Sequence, residues 1–176
     1  MQNIVGAVAL IVKKRGGTYL IMTQLRRVLN ESYDPLYDKT WETMGETAQE
    51  GESVIDALIR GCREEFGIPD FTPKKIMGVG EEWTTGKKDK FIYLEPFCFV
   101  QSLGPPQPWI GPFFIVEVPE DFEPNYQRSD KEATSCKWWL PAELKKEIEE
   151  VPQSFMGFHV PALYKLCLTI MERGLD

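Results

Sequence analysis

Residues 53–67, SVIDALIRGCREEFG, constrain the chain more tightly than any other stretch. Ser53 is a helix-capping residue type, with Asp56 three positions on as a reciprocal partner, and Gly67 supplies the left-handed stop. The expected helix runs over 54–66. Ile55, Leu58, Ile59, Cys62 and Phe66 then fall on one apolar stripe, which requires a hydrophobic surface to pack against. At about 100° per residue, Arg60, Glu64, Gly61 and Glu65 follow one another around the opposite and flanking surface, with Gly61 between the two glutamates.

The flanking sequence provides that surface as strands. IVGAVALIV and TYLIMTQL surround KKRGG, a strand–turn–strand pattern with glycine where positive φ is needed. KKIMGVGEEWTT, KFIYLEPFCFVQS and FFIVEVP are rich in β-branched and aromatic residues and read as further strands, with PPQPWIGP punctuating the last two. PAELKKEIEE and PALYKLCLTIMERG read as helices that start at proline. Residues 27–40 form a polar, turn-rich loop of the length that carries function. No repeat or linker interrupts the pattern, so the 176 residues are expected to form one domain of α/β or α+β class, a mixed sheet between helices.

A net charge of −7 argues against bulk nucleic acid or an anionic membrane as the main partner, so an anionic substrate needs local cations or a bridging metal. The four cysteines match no zinc spacing and are expected to be reduced core thiols. The apolar N-terminus is too short to span a bilayer, which favours a cytoplasmic protein whose first strand it forms.

Glu64 and Glu65 are adjacent carboxylates at a helix C-terminus, where like charge and the helix dipole both oppose them. Two readings stand. One is a solvated acidic face with Arg60 paired to Glu64 one turn away; the other is a site for a hard divalent cation that shares oxygen ligands with substrate phosphates. Residues 45–68 resemble the Nudix box, a glycine, five residues, glutamate, seven residues, then Arg-Glu-aliphatic-any-Glu-Glu-any-Gly-aliphatic. Glu52, Arg60, Glu64, Glu65, Gly67 and Ile68 stand at the required spacings. Around them the hairpin ending QLRR, Trp41, KWWLPAEL and the closing helix look like the Nudix αβα sandwich.

Two positions depart from the pattern. The opening glycine is replaced by Glu46, although Gly45 and Gly51 keep its surroundings, and the first glutamate of the cluster is replaced by Gly61. The resemblance implies hydrolysis of a nucleoside diphosphate linked to another moiety, with Mg2+ or Mn2+ on Glu64, Glu65 and a backbone carbonyl of Gly45, and with Glu52 and Arg60 fixing the loop to the helix. An acidic residue outside the helix is then the expected general base, Glu132 first and Glu81 or Glu82 next. Glu46 is a further candidate metal ligand, standing in for the carboxylate absent at 61.

Arg26 and Arg27 end a strand where they would contact phosphate or serve as plain edge charges. Trp83 with Lys87, Lys88 and Lys90 forms either a base and phosphate clamp or a charged hairpin tip, and Trp109 either stacks on a base or plugs the core. His159, the single histidine, reads as structural. The expected partner is a small nucleotide-type substrate, with a homodimer allowed. The loss at position 61 keeps open a noncatalytic nucleotide-binding or regulatory module, and which nucleoside diphosphate derivative would bind is not legible.

Overall fold

The computed structural model describes residues 6–27, 38–69, 76–77, 79–83, 86–87, 91–103, 109–125 and 133–175. The strand β1 (Gly6–Arg15) lies in the middle of the sheet, and its unbroken apolar run reflects burial on both faces. Val8, Leu10 and Val12 point to one face, and Ala7, Ala9 and Ile11 to the other. It turns through Gly16 and Gly17, both at positive φ, into β2 (Thr18–Arg26), so the expected hairpin is present.

Short strands β3 (Trp41–Glu42) and β4 (Met44–Thr47) pair with β2 and β1 respectively, and α1 (Val54–Phe66) follows. The helix has the expected bounds and caps: Ser53 Oγ accepts from the Asp56 N–H, and Gly67 closes the helix at φ 67°. Ile55, Leu58, Cys62 and Phe66 are buried.

The stretch KFIYLEPFCFVQS, read as one strand, is two. Strand β7 (Phe91–Leu94) pairs with β6 (Val79–Trp83) as a separate hairpin, and β8 (Cys98–Gln101) joins the main sheet beyond a break at Pro96. Strand β5 (Ile76–Met77) and β8 both flank β9 (Ile110–Val118), which runs parallel to β1. Strand β9 also absorbs Ile110–Pro112, expected to be punctuation. Gly111 makes that possible, because a Cβ there would strike the Trp109 ring at 2.3 Å.

Strand β10 (Ala133–Trp139) covers β2, and α2 (Pro141–Glu150) and α3 (Val160–Arg173) follow, each with proline in its first turn. Helix α1 packs on one face of the sheet; α2 and α3 pack on the other, so the αβα sandwich and mixed sheet are as expected. Among the described residues no helix is long and apolar enough to cross a membrane. All four cysteines are free thiols.

Candidate functional site

Strand β4 packs on α1, with Met44 and Glu46 over Gly61, and the polar residues converge there. Arg60 is the hub. Its Nε and Nη2 donate to the two Glu52 oxygens, both at 2.9 Å, and Nη2 also reaches the Thr47 carbonyl at 3.1 Å. Glu52 Oε2 accepts in addition from the Gln49 N–H, so loop and helix are locked by a two-pronged charge-assisted pair. The Arg60 hydrogen bond, and after it the Gln49 N–H, draw the Glu52 carboxyl down to about 2, and Arg60 is raised in turn. Nη1 of Arg60 faces two more carboxylates, Glu46 Oε2 at 3.3 Å and Glu64 Oε2 at 3.5 Å.

Gly61 does not sit on an open flank, as the helical wheel suggested. It is buried, because β4 lies directly over it: a Cβ at 61 would meet Met44 Sδ at 2.9 Å and Glu46 Cβ and Cγ at 3.0 and 3.2 Å. Glu64 is exposed and Glu65 half-buried.

Two residues that sequence reasoning passed over complete the cluster. Gln24 Nε2 donates to Glu65 at 3.2 Å and to Glu42 at 3.1 Å, and Glu42 also accepts from Arg26 Nη1 at 3.1 Å. Gln24 and Glu42 are buried. Their signal was a polar side chain on an inward strand position, since Gln24 follows buried Met22 by two residues and therefore shares its face. Gln24 Oε1 and Arg26 Nε are buried without a hydrogen-bond partner among the described residues. Arg27 follows the strand end as an exposed charge.

His159 takes the structural role expected of it. Its Nδ1 accepts from the Thr43 N–H at 3.2 Å, so the proton of the neutral ring lies on Nε2, which is buried near Gly45. Burial, then the Arg26 charge, lower its pKa to about 3.

Trp109 is not part of this cluster: it packs on the α2 and α3 face, tilted over Phe158 at 4.9 Å and edge-on to Phe113 at 6.1 Å. Trp83 lies in β6 opposite Phe91, with its side chain outside the described residues, as are the side chains of Glu81 and Glu82. Glu132, Lys88 and Lys90 fall outside the described residues altogether, and Lys87 is exposed beside Gly86 at the hairpin tip.

The side chains that face Arg60 and Gln24 at the α1 end are carboxylates, Glu46, Glu64 and Glu65, and oxygen is the donor a hard divalent cation takes. The unpartnered Gln24 oxygen fits the same demand. Among the described residues no three acidic, histidine or cysteine side chains are drawn together as a cage.

The fold is shared with solved structures over whole chains. A possible asymmetric diadenosine tetraphosphate hydrolase from Jonesia denitrificans matches at TM-score 0.63 and 18% identity, covering 100% of this chain and 99% of that one. RenU, a Nudix hydrolase from M. smegmatis, matches at 0.60 and 15%, covering 99% and 89%. The NUDIX domain of Shewanella oneidensis NrtR, solved with ADP ribose, matches at 0.58 and 14%, covering 97% and 90%. A search of curated proteins returns no match. The sequence model of the NUDIX domain matches residues 3–156, the span that runs from the central strands through the Arg60 hub to the far side of the sheet, and by that match the chain belongs to the NUDIX family.

Proposed function

We propose that this protein hydrolyses a pyrophosphate linkage in a nucleoside diphosphate joined to another moiety, using Mg2+ or Mn2+. The observation that carries the reading is the Glu52–Arg60 clamp, which fixes the loop to the end of α1 that bears Glu64 and Glu65. Glu64 and Glu65 would hold the cation together with the Gly45 carbonyl. When bound, a divalent ion neutralises phosphate charge and lowers the pKa of a coordinated water. Arg26 and Arg27, at the end of β2, are assigned to substrate phosphates, with Arg26 steadied by Glu42. Glu132 is assigned as the base that takes the proton from the attacking water, ahead of Glu81 and Glu82. Similarity to a possible diadenosine tetraphosphate hydrolase and to an ADP-ribose complex supports a substrate with nucleotides on a phosphate bridge.

A screen of dinucleoside polyphosphates and nucleotide sugars with each metal, run on wild type and Glu65→Gln, tests the reading. Wild-type turnover with a loss of at least about a hundredfold in Glu65→Gln is expected. Turnover equal in both would overturn the site. The second reading, a nucleotide-binding module without turnover, is favoured by one observation, Gly61 where the family carries a carboxylate. It predicts saturable nucleotide binding in the same screen with no product.

A further inference from the structure

We propose that Glu46 supplies to the metal centre the carboxylate that position 61 lacks, so that strand β4 and helix α1 have exchanged a ligand. The inference rests on the metal-dependent reading above and concerns residues particular to this chain.

The two departures from the box pattern touch each other. The Glu46 stem occupies the space a side chain at 61 would fill, with Cβ and Cγ only 3.0 and 3.2 Å from where the missing Cβ would stand. A side chain at 61 would crowd the Glu46 stem and, at 2.9 Å, Met44 Sδ, so it would need both to shift. Strand alternation directs the exchange: Met44 is buried toward α1 and Glu46 shares that face, whereas the space beside Gly45 opens toward Val8 and His159 on the other face. A glutamate at 46 therefore projects from the strand to the helix flank between Arg60 and Glu64.

Its carboxylate is already near another. Glu46 Oε2 and Glu64 Oε2 approach the same Arg60 nitrogen, at 3.3 and 3.5 Å, so one positive charge draws both. Arg60 does not depend on Glu46, because Glu52 grips it through two separate bonds. Glu46 Oε1 also accepts from the Thr47 N–H at 2.9 Å, so turning Oε2 from the guanidinium to a cation leaves both the Glu52 clamp and that strand contact in place. Glu52 is committed to the clamp and is not a substitute.

Manganese binding to the metal-free full-length chain, followed by the paramagnetic signal of free Mn2+ and by calorimetry, tests the exchange without reference to turnover. Glu46→Gln keeps the shape and the packing over Gly61, and is expected to weaken Mn2+ by about tenfold or more. Glu46→Gly should weaken it similarly, and Glu46→Gly/Gly61→Glu should return to within about threefold of wild type, because the carboxylate is restored from the other side. Circular dichroism and melting confirm that each variant is folded. Wild-type affinity in Glu46→Gln, with binding lost in Glu64→Gln/Glu65→Gln, overturns the exchange and leaves the metal reading standing. Equal affinity in wild type and Glu64→Gln/Glu65→Gln overturns the metal reading itself.

Discussion

Glu52 is stabilised as an anion by Arg60 and by the Gln49 N–H, and its acid titration follows from that. The folded carboxyl titrates at about 2 against an ordinary 4.5. A depressed carboxylate stabilises the fold above its unfolded value, and that contribution disappears as pH falls from 4.5 toward about 2. Urea midpoints of wild type and Glu52→Gln should therefore differ at neutral pH and converge near pH 2. His159 works the opposite side of the same balance. The unfolded ring takes a proton near 6.5 and the folded one only at about 3, so the unfolded state is favoured as pH drops through that interval. His159→Phe should flatten that slope while costing about 1–3 kcal/mol for the stranded Thr43 N–H. Glu52, Arg60, Ser53 and Gly67 were legible because their partners lie within two helical turns or one loop, where spacing alone dictates geometry. Gln24 and Glu42 were not, since strand pairing brings them together and then sets them against a helix residue far along the chain.

Helix α1 and strand β4 meet at a glycine, and the contact is measurable as a coupling between two elements. An alanine at an ordinary helix position gains about 1 kcal/mol over glycine. At position 61 the new methyl would press on Met44 Sδ and on Glu46 Cβ, the latter close to the backbone and unable to swing aside. Gly61→Ala is expected to destabilise by about 1–2 kcal/mol in chemical denaturation, with Glu46→Gly/Gly61→Ala recovering the part due to Glu46 and leaving the Met44 Sδ contact. At this scale the sequence was readable for α1, α2, α3 and the first hairpin, where periodicity, caps and prolines agree. It failed at Pro96, which splits an apparently continuous strand, and at Gly111–Pro112. Those two residues look like a turn and are strand because Trp109 folds back over the glycine. That packing is tertiary, and no local pattern announces it.

Across the whole molecule the four thiols act as internal reporters of cooperativity. Cys62 and Cys167 are buried and Cys98 and Cys136 partly so, and burial raises all four above their ordinary value, Cys136 and Cys167 to about 12. A thiol-specific chromogenic reagent at pH 8 should reach only the partly exposed Cys98 and Cys136 of the native chain, and slowly, and label four groups in denaturant; fast labelling of Cys62 or Cys167 under native conditions would contradict this packing. The parallel pairing of β1 with β9 carries a different implication, one of time. Val8 lies opposite Phe113, so the centre of the sheet closes only when segments about a hundred residues apart meet, a costly loop that slows folding toward the millisecond-to-second range. During synthesis the β1–β2 hairpin must wait, apolar on both faces, until β9 has left the ribosome. The Arg60 hub, although local in sequence, rests on β4, whose neighbour β1 lacks its β9 partner before then. Substitutions in β9, far from any carboxylate, should therefore lower the yield of soluble protein without altering the working properties of the molecules that do fold.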